Sequence, residues 1–278
     1  MPESADGHHA LTPETVEARP RAARCGIAVM GKASVSGQTK TRLVPPLSFD
    51  EAAQLNTAFL QDSCANLTHA GARADIAVYV AYSPPGSEAF FRTRLPAAVG
   101  LIESCQPNFG DCLLHAIQAL FVLGHESACV LNSDSPTLPT ERLVDAATQL
   151  HAPGDRAVLG LSDDGGFYFL GLKRAHAGLF AAIDWSTERT ARQVLLRAAE
   201  LGIEVRFLDA WYDVDDAAAL RRLCAELSLR DWSPRPDFRG YAAPFTRAAL
   251  GALLQDSDLA VRLRGDAAPG GAAVRRVS

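Results

Sequence analysis

Two basic side chains two positions apart, Lys40 and Arg42, stand in the stretch "GKASVSGQTKTRL", which follows the apolar run "CGIAVM". Such cations donate hydrogen bonds to phosphate oxygens, and glycine lets a backbone approach a ligand closely. The stretch therefore favours a loop that binds the phosphates of a nucleotide, to which Gly31, Lys32 and Gly37 would contribute. The alternative is a solvated loop whose cations face water, because short loops of glycine and lysine are weak motifs.

Aspartates at two further places could hold a divalent cation. The stretch "VLNSDSPTLP" ends a buried-strand pattern with Ser133 and Asp134, and "WYDVDDAAALRRL" places Asp213 and Asp215 one residue apart. An extended backbone would point the latter two carboxylates to the same side. Mg²⁺ or Mn²⁺ is commonly held by one or two carboxylates together with phosphate oxygens, and Ser133 would adjoin the same nucleotide. The alternatives are structural: Asp134 and Ser135 would cap a turn, and Asp215 or the next aspartate would cap a helix.

A third stretch, "SDDGGFYFLGL", places Asp164, Gly165 and Gly166 before a strand-like run. A hairpin turn alone would explain these residues, whereas a loop that lets a substrate approach the backbone would need the glycines as well. No serine, cysteine or histidine stands in the context of an activated nucleophile, since His115 and His151 fall in helical patterns. We therefore expect chemistry carried by cations and a metal ion.

Strand-like runs alternate with helical patterns along the chain and would position these residues. We predict strands at the apolar runs 26–30, 75–81, 99–104, 128–133, 157–161, 167–172 and 204–209. The alternation predicts an α/β fold with a mostly parallel sheet and helices on both faces. The run 167–172 follows its predecessor after only five residues, which is too short for a helical crossover. That strand would therefore be antiparallel or at an edge of the sheet.

Local signals mark where the helices start. Ser48 and Glu51 form a capping box ahead of one helical pattern, and Thr140 can cap "ERLVDAATQL". Ser186 or Thr187 can cap "ERTARQVLLRAAELG", which would stop at its last glycine. In open α/β sheets, ligands bind at the carboxyl ends of the strands. The candidate residues described above follow predicted strands and would gather at that edge.

The composition excludes several classes of function. The net charge is −5, from 27 basic and 32 acidic residues, which argues against a general nucleic-acid binder. The opening stretch lacks the apolar core of a signal peptide, and no run approaches the roughly 18 apolar residues of a membrane span. The six cysteines are scattered without a CxxC pair and indicate buried thiols. We therefore expect a cytoplasmic protein that binds neither nucleic acid nor membrane.

Composition also divides the chain into segments. Residues 1–23 are polar and aperiodic and predict a disordered leader. Residues 24–229 would form the main α/β domain, 230–264 an accessory segment with one helix, and 265–278 a flexible tail. The sequence leaves open the role of the accessory segment and the oligomeric state, for which a homodimer is one alternative.

The motifs "GKASVSGQTKTRL", "NSDSPTLP", "LGLSDDGGFYFLGL", "LFAAIDWST" and "WYDVDDAAAL" occur together in this order. Over residues 25–227 the chain therefore resembles a bacterial family of GT-A-like transferases of unknown function, described as arsenosugar-biosynthesis glycosyltransferases or selenodomain-associated transferases. The resemblance implies the nucleotide-diphospho-sugar transferase fold, a Rossmann-like mixed sheet. It also implies kinship with the phospholactate and molybdenum-cofactor guanylyltransferases.

The resemblance further implies roles for the candidate residues. Lys40 and Arg42 would hold the phosphates of the nucleotide, and Asp134 with Asp213 or Asp215 would hold Mg²⁺ or Mn²⁺. The segment from Asp164 to Gly166 would line the acceptor side. The residues from Trp185 to Thr187 would shape the same crevice, although a buried tryptophan and a helix cap would explain them equally.

The chain departs from the family pattern at two places. It has "SVSG" where the family usually has proline-valine-proline-glycine, and "NFGDCLLHA" lacks the second glycine and the following basic residue of the corresponding family segment. If that segment contacts substrate, the acceptor would differ.

Three functions fit these residues. The basic loop and the "DVD" triplet favour a nucleotidyltransferase that joins a nucleoside monophosphate from a triphosphate to a small phosphate- or carboxylate-bearing acceptor. The usual description of the family favours a glycosyltransferase with a nucleotide-sugar donor. The departures in two motifs permit a non-catalytic nucleotide-binding protein, against which the retained aspartates argue.

Overall fold

The computed structural model describes residues 24–229 and 239–265, which form two units. The first unit contains the described chain up to Ala33 together with Cys64–Asn132 and Thr140–Trp211. The second contains Ser34–Ser63, Ser133–Pro139 and the described chain from Tyr212 onward. The predicted leader 1–23, residues 230–238 of the accessory segment and residues 266–278 of the tail lie outside the described residues.

A seven-stranded sheet lies in the first unit. Its strands are β1 Cys25–Lys32, β2 Ile76–Ser83, β3 Gly100–Glu103, β4 Ser127–Leu131, β5 Arg156–Ser162, β6 Phe167–Leu172 and β7 Glu204–Trp211. They lie in the order β3-β2-β1-β4-β6-β5-β7. Strand β6 is antiparallel to both of its neighbours, and the remaining neighbours are parallel. The predicted mixed, mostly parallel sheet is confirmed, and its antiparallel strand lies inside the sheet.

Helices follow most of the strands. Those of the first unit are α2 Glu88–Arg92, α3 Phe109–Val122, α4 Thr140–His151 and α5 Thr190–Glu200; those of the second are α6 Ala217–Glu226, α7 Pro244–Asp256 and α8 Leu259–Gly265. Helix α1, Phe49–Gly71, contributes residues to both units. Short 3₁₀ turns occur at Thr41–Leu43 and Ala177–Phe180. Within residues 24–229 and 239–265, no helix combines the length and apolarity that crossing a membrane requires.

Helices cover both faces of the sheet. Val130 of β4 lies in a buried cluster with Ile117 of α3. The preceding residue, Cys129, is paired in register with Gly171 of β6, and a Cβ atom at Gly171 would meet Leu150 of α4. Because successive residues of a strand point to opposite faces, α3 and α4 pack on opposite sides. This arrangement explains why the strands read as continuous apolar runs.

Two of the predicted helix caps are present. The backbone N–H of Ser48 donates to Glu51 Oε2 at 2.7 Å, and the N–H of Glu51 donates to Ser48 Oγ at 3.2 Å, which completes the capping box. At the start of α6 the cap is Asp216, whose carboxylate accepts from Ala219 N at 2.8 Å. Asp215 is therefore not needed as a cap.

The predicted cap at Ser186 or Thr187 is wrong, because α5 begins later, at Thr190. Ser186 has a left-handed φ of 61°, and the hydroxyl of Thr187 donates to the carbonyl of Asp184 at 2.8 Å. Both residues thus belong to a turn before the helix. Thr140 is itself the first residue of α4, and its hydroxyl donates to Asn66 Oδ1 at 2.6 Å.

The described part of the accessory segment holds two helices, α7 and α8, where the sequence predicted one. The start of α7 is capped from α1: the carboxylate of Asp62 accepts from the backbone N–H groups of Phe245 at 3.1 Å and Thr246 at 2.6 Å. Such an interaction satisfies N–H groups that a helix cannot pair internally. Only two residues separate α7 from α8, so the apolar periodicity of the sequence did not show where one helix ends and the next begins.

Candidate functional site

The ammonium of Lys40 is enclosed by oxygen atoms within the second unit. Its Nζ lies 2.7 Å from Asp134 Oδ1, 3.0 Å from Asp215 Oδ1 and 2.9 Å from the carbonyl oxygen of Val214. The ring centroid of Phe59 lies 5.2 Å away. Only 6% of the Lys40 side chain is exposed. We call Lys40, Asp134, Val214 and Asp215 the Lys40 cluster; it brings together three of the residues that the sequence singled out.

The local backbone turns Lys40 inward. Lys40 has φ 51° and ψ 35°, in the left-handed region that few residues other than glycine adopt. It precedes the 3₁₀ turn, in which the N–H of Leu43 donates to the Lys40 carbonyl at 3.0 Å. Leu43 is completely buried. The backbone at Lys40 is therefore held in place by a hydrogen bond and an anchored leucine.

The two aspartate segments are bound to each other by hydrogen bonds. The N–H of Val214 donates to the carbonyl of Asp134 at 2.9 Å. The hydroxyl of Ser135 lies 3.0 Å from the Tyr212 carbonyl and 2.6 Å from Asp213 Oδ1. These bonds fix the register of one segment against the other and place the carboxylates of Asp134 and Asp215 on the same ammonium.

The neighbouring aspartates consequently differ in their contacts. Asp215 binds Lys40, whereas the carboxylate of Asp213 accepts the Ser135 hydroxyl, and Asp216 caps α6. Within the described ranges, no group of three or more histidine, cysteine, aspartate or glutamate side chains is arranged to hold a metal ion. The oxygen atoms around Lys40 come instead from two carboxylates and one backbone carbonyl.

Arg42 stands at the exposed side of the cluster. Its Nη1 lies 3.2 Å from Asp215 Oδ2, and 75% of its side chain is exposed. An exposed guanidinium next to a buried ammonium gives the site one cation that a ligand can reach directly. Ser133 lies beside the cluster, with its hydroxyl 3.3 Å from Asp134 Oδ1.

Lys40 keeps its positive charge within this ion-pair network. Burial alone would lower the pKa of Lys40, but the carboxylates of Asp134 and Asp215 outweigh it, so that the pKa lies above the ordinary value of a lysine. Lys40 is therefore protonated at neutral pH. The oxygen atoms around Lys40 thus form a position that accommodates a positive charge.

A buried polar network supports the segment before Asp213. The phenol of Tyr212 donates to Glu226, whose other oxygen lies 3.0 Å from Arg222 Nε. The Arg222 guanidinium lies 3.6 Å from the centroid of the Tyr212 ring. Burial, and then the charge of Glu226, raises the pKa of Tyr212 well above its usual range. Tyr212 is thus a neutral donor, and no local sequence signal revealed its pairing with Glu226.

The predicted acceptor turn from Asp164 to Gly166 lies in the first unit. Gly165 has φ 87°, and a Cβ atom there would lie 2.2 Å from the carbonyl oxygen of Glu188. The carbonyl of Gly165 accepts from Ala191 N at 3.1 Å, and Asp164 Oδ1 accepts from Gly166 N at 2.9 Å. The turn therefore packs against the segment after Thr187, and only glycine fits at its centre.

Trp185 lies in an aromatic group, also in the first unit. Its ring stacks on Phe180 at a centroid distance of 6.1 Å and meets Phe109 and Phe167 edge-on at 6.1 and 6.4 Å. A Cβ atom at Gly110 would lie 2.1 Å from Trp185 Nε1. The indole is half-buried and packs against α3. Trp185 therefore has the packing role that was one of the two alternatives from the sequence.

The remaining predicted nucleotide residues fall at different places. Gly31 and Lys32 are the last residues of β1 and pair with Tyr82 and Ser83 of β2, so they belong to the sheet of the first unit. Gly37, in the second unit, has φ 73° and open space where a Cβ atom would lie. Of this group, only Gly37 belongs to the turn that precedes Lys40.

Comparisons with known proteins agree with this architecture. The family model described as "Uncharacterized protein conserved in bacteria (DUF2064)" matches residues 54–187. The matched residues include Asp134, the turn at Gly165 and Trp185, and leave out Lys40 and Asp215. No curated protein matches the sequence.

Among solved structures, a protein provisionally named a nucleotide-diphospho-sugar transferase, from Desulfovibrio desulfuricans G20, has 25% sequence identity and a TM-score of 0.71; the match covers 88% of this chain and 98% of that one. The expected nucleotide-diphospho-sugar transferase fold is thereby confirmed.

Two cytidylyltransferase structures are more distant. A CMP:2-keto-3-deoxy-manno-octonic acid synthetase complexed with CTP has 12% identity and a TM-score of 0.48, with 74% of this chain and 99% of that one covered. A cytidylyltransferase from Leptospira borgpetersenii serovar Hardjo-bovis has 10% identity and a TM-score of 0.48, with 86% and 97% covered. These likenesses are too weak to bear on the function of this chain.

Proposed function

We propose that this chain, whose residues 54–187 match the model of the bacterial DUF2064 family, is a nucleotide-dependent transferase of the nucleotidyl type. It would join a nucleoside monophosphate from a nucleoside triphosphate to a small phosphate- or carboxylate-bearing acceptor and release pyrophosphate. The observation that carries the proposal is the Lys40 cluster: a buried ammonium between two carboxylates, with the exposed Arg42 beside it. The carboxylates would bind the metal ion of a metal-bound polyphosphate, and the two cations would bind its phosphates.

The residues around Lys40 fit a divalent cation. The oxygen atoms of Asp134, Asp215 and Val214 surround a single position that a cation already occupies. Mg²⁺ prefers such oxygen ligands and commonly takes one or two carboxylates together with substrate phosphates. When bound, it would supply charge neutralisation at the phosphates. Asp213, which accepts from Ser135, would support this site without belonging to it.

The reaction needs little from the protein beyond positioning and charge. An oxygen of the acceptor attacks the α-phosphorus, a new phosphorus–oxygen bond forms, and the bond to the β-phosphate oxygen breaks as pyrophosphate leaves. An ionised phosphate or carboxylate acceptor attacks without a general base. Arg42 and Lys40 would stabilise the negative charge that develops on the leaving pyrophosphate, and such stabilisation is often the largest contribution to catalysis.

A separate group of residues would serve the acceptor. The turn at Gly165 carries the exposed carboxylate of Asp164, and the aromatic group at Trp185 offers an apolar surface. We propose Asp164, Gly165 and Gly166 as acceptor-binding residues, with Trp185 and the two residues that follow it holding the neighbouring segment in place.

Glycosyl transfer from a nucleotide-sugar is the second candidate. The similarity to the Desulfovibrio desulfuricans protein favours it, because that protein is named for nucleotide-diphospho-sugars. The two reactions would use the same Lys40 cluster but release different products, pyrophosphate in the first and a nucleoside diphosphate in the second.

Thermal stabilisation by a panel of nucleoside triphosphates and nucleotide-sugars, with Mg²⁺, Mn²⁺ or EDTA, tests the proposal. A ligand at 100 times its dissociation constant adds about 2.7 kcal/mol to the stability. We expect a metal-dependent shift with one triphosphate, lost in Asp134→Ala and Lys40→Ala. A shift with a nucleotide-sugar alone would assign glycosyl transfer, and binding without turnover would assign a non-catalytic role.

A charge-matched control separates the site from general electrostatics. Asp216→Asn removes one negative charge next to Asp215 but keeps the α6 cap, since asparagine caps as well as aspartate. The nucleotide-induced shift should persist in Asp216→Asn and disappear in Asp215→Asn. Equal losses in the two variants would contradict a site at the Lys40 cluster.

A further inference from the structure

We infer that Lys40 is the resident cation of a divalent-metal position, and that joint binding of metal and nucleotide moves its ammonium from Asp134 and Asp215 onto the phosphates. The inference rests on the proposed function only in taking the ligand to be a metal-bound nucleotide. It assigns Lys40 two successive partners, where a simple phosphate-binding lysine would have one.

The ammonium of Lys40 already uses all of its hydrogen-bond donors. An ammonium has three N–H donors and no acceptor. The structure supplies three acceptors within 3.0 Å of Lys40 Nζ, from Asp134, Asp215 and Val214. No donor is left for a phosphate oxygen. Lys40 can therefore bind a nucleotide only by giving up at least one of its present partners.

The ammonium of Lys40 also balances the charge of the two aspartates. Two carboxylates face the single ammonium at the centre of the cluster, and their side chains are only 33% and 28% exposed. Removal of the ammonium would leave two negative charges close together, which is costly away from water. A divalent cation at the same position restores the balance, so the exchange of one cation for another is the low-energy route.

Coupling between metal and nucleotide follows from this exchange. A metal ion alone must displace a well-bound ammonium that then has no new partner. When a nucleotide is present, the displaced ammonium gains phosphate oxygens, and each ligand therefore raises the affinity for the other by the same factor. We expect weak metal binding to the free protein and strong binding to its nucleotide complex.

The loop allows the side chain to move without the backbone. The Lys40 carbonyl is bound by the N–H of Leu43, and Leu43 is fully buried. The long, flexible side chain of a lysine is thus attached to a fixed point, and a swing of the ammonium needs only rotation about its own bonds.

Binding of Mn²⁺ without nucleotide tests the inference directly. Electron paramagnetic resonance would measure the concentration of free Mn²⁺ during titrations of the unmodified protein and of three variants, Lys40→Met, Lys40→Arg and Arg42→Ala. We expect Lys40→Met to bind Mn²⁺ about tenfold more tightly than the unmodified protein or tighter still. Lys40→Arg keeps the resident cation, and Arg42→Ala removes only the exposed guanidinium that pairs with the outer oxygen of Asp215, so both should stay within about threefold of the unmodified protein.

The result that overturns the inference is equal or weaker Mn²⁺ binding by Lys40→Met. A similar gain in Arg42→Ala would also overturn it, because charge alone would then explain the effect. If Lys40→Met fails to fold, Lys40→Asn takes its place, since asparagine tolerates a left-handed backbone. In either variant, Mn²⁺ alone should raise the melting temperature more than it does in the unmodified protein.

These measurements are independent of the proposed function, because they contain no nucleotide. A chain in which Lys40→Met gains Mn²⁺ affinity but no nucleotide gives a thermal shift would keep the exchange position and refute the transferase proposal. A nucleotide shift in the unmodified protein with no gain in Lys40→Met would refute the exchange and leave the transferase proposal standing.

Discussion

Arg262 binds both carboxylate oxygens of Glu51, with Nη1 2.9 Å from Oε2 and Nη2 2.7 Å from Oε1, across 211 positions of the chain. The same guanidinium bonds the carbonyl of Pro46, and Glu51 closes the capping box with Ser48. Helix α8 thereby braces the segment between the Lys40 turn and α1. The accessory segment, whose role the sequence left open, supports the segment that follows Lys40.

This pair makes stability depend on pH. Burial alone would raise the pKa of Glu51, but the bonds from Arg262 and Ser48 lower it from 4.5 to about 2. Because folding lowers this pKa, the stabilisation is present above pH 4.5 and is lost as the pH falls through about 2. The full effect is about 3 kcal/mol.

Chemical denaturation of the unmodified protein and of Glu51→Gln across this pH range measures the effect. The difference in unfolding free energy should be largest near neutral pH and vanish toward pH 2. Arg262→Met should reproduce the loss. Because the two side chains act as a pair, the double variant should lose less stability than the two single variants added together. A difference that does not change with pH would contradict the role of the Glu51 charge.

Asp215 and Asp213 should differ in their effect on function. We expect Asp215→Asn to lower metal-dependent pyrophosphate release by about 100-fold or more, because it removes a carboxylate that faces the cation position. Asp213→Asn should retain more activity, because its carboxylate binds Ser135. Steady-state assays with the nucleotide found by thermal stabilisation check the order. Equal losses would show that Asp213 also faces the metal.

Arg42 should affect nucleotide binding far more than folding. Its side chain is 75% exposed, so Arg42→Ala should change stability by no more than about 0.5 kcal/mol. The KM for the nucleotide should rise at least about tenfold, with a weaker dependence on salt concentration. Arg206→Ala removes a similarly exposed arginine, paired with Glu204 at 2.6 Å, and should leave the KM unchanged. A shift in both variants would indicate a long-range charge effect.

Two glycine-to-alanine changes within helices should have opposite signs. In Gly110→Ala the new Cβ atom would lie 2.1 Å from Trp185 Nε1, so the indole must move, at a cost of about 1–3 kcal/mol. Gly251→Ala, in α7, meets nothing within 4 Å and should stabilise by about 0.5–1 kcal/mol. Denaturation curves give both values, and near-ultraviolet circular dichroism should change only for Gly110→Ala. A stabilised Gly110→Ala would contradict the packing described.

The sequence could predict whatever depends on local pattern. The run 167–172 matches β6 at both ends, and the capping box at Ser48 formed as its spacing indicated. The sequence also predicted that Lys40, Asp134 and Asp215 would gather at one edge of the sheet, because each follows a predicted strand. It assigned Lys40 to phosphates and the aspartates to a metal ion, and so did not predict that they would pair with one another.

Tertiary partners were not foreseeable in the same way. Glu226 stands in an amphipathic helical pattern, and nothing local shows that its carboxylate is buried against Tyr212. Ser135 read as a turn residue, yet its hydroxyl holds Asp213. The start of α5 was misplaced because the left-handed backbone at Ser186 keeps the capping residues outside the helix.

The antiparallel direction of β6 has a consequence for how this fold can diversify. Because β6 runs against β5, the turn between them lies at the carboxyl edge of the sheet, as a hairpin rather than a crossover. A hairpin can gain or lose residues without rethreading the chain. Insertions between Asp163 and Asp164 would reshape this turn, while the glycine whose Cβ position meets Glu188 keeps its base in place. Related chains with a different surface at this edge of the sheet can therefore arise, or be engineered, by lengthening this one turn.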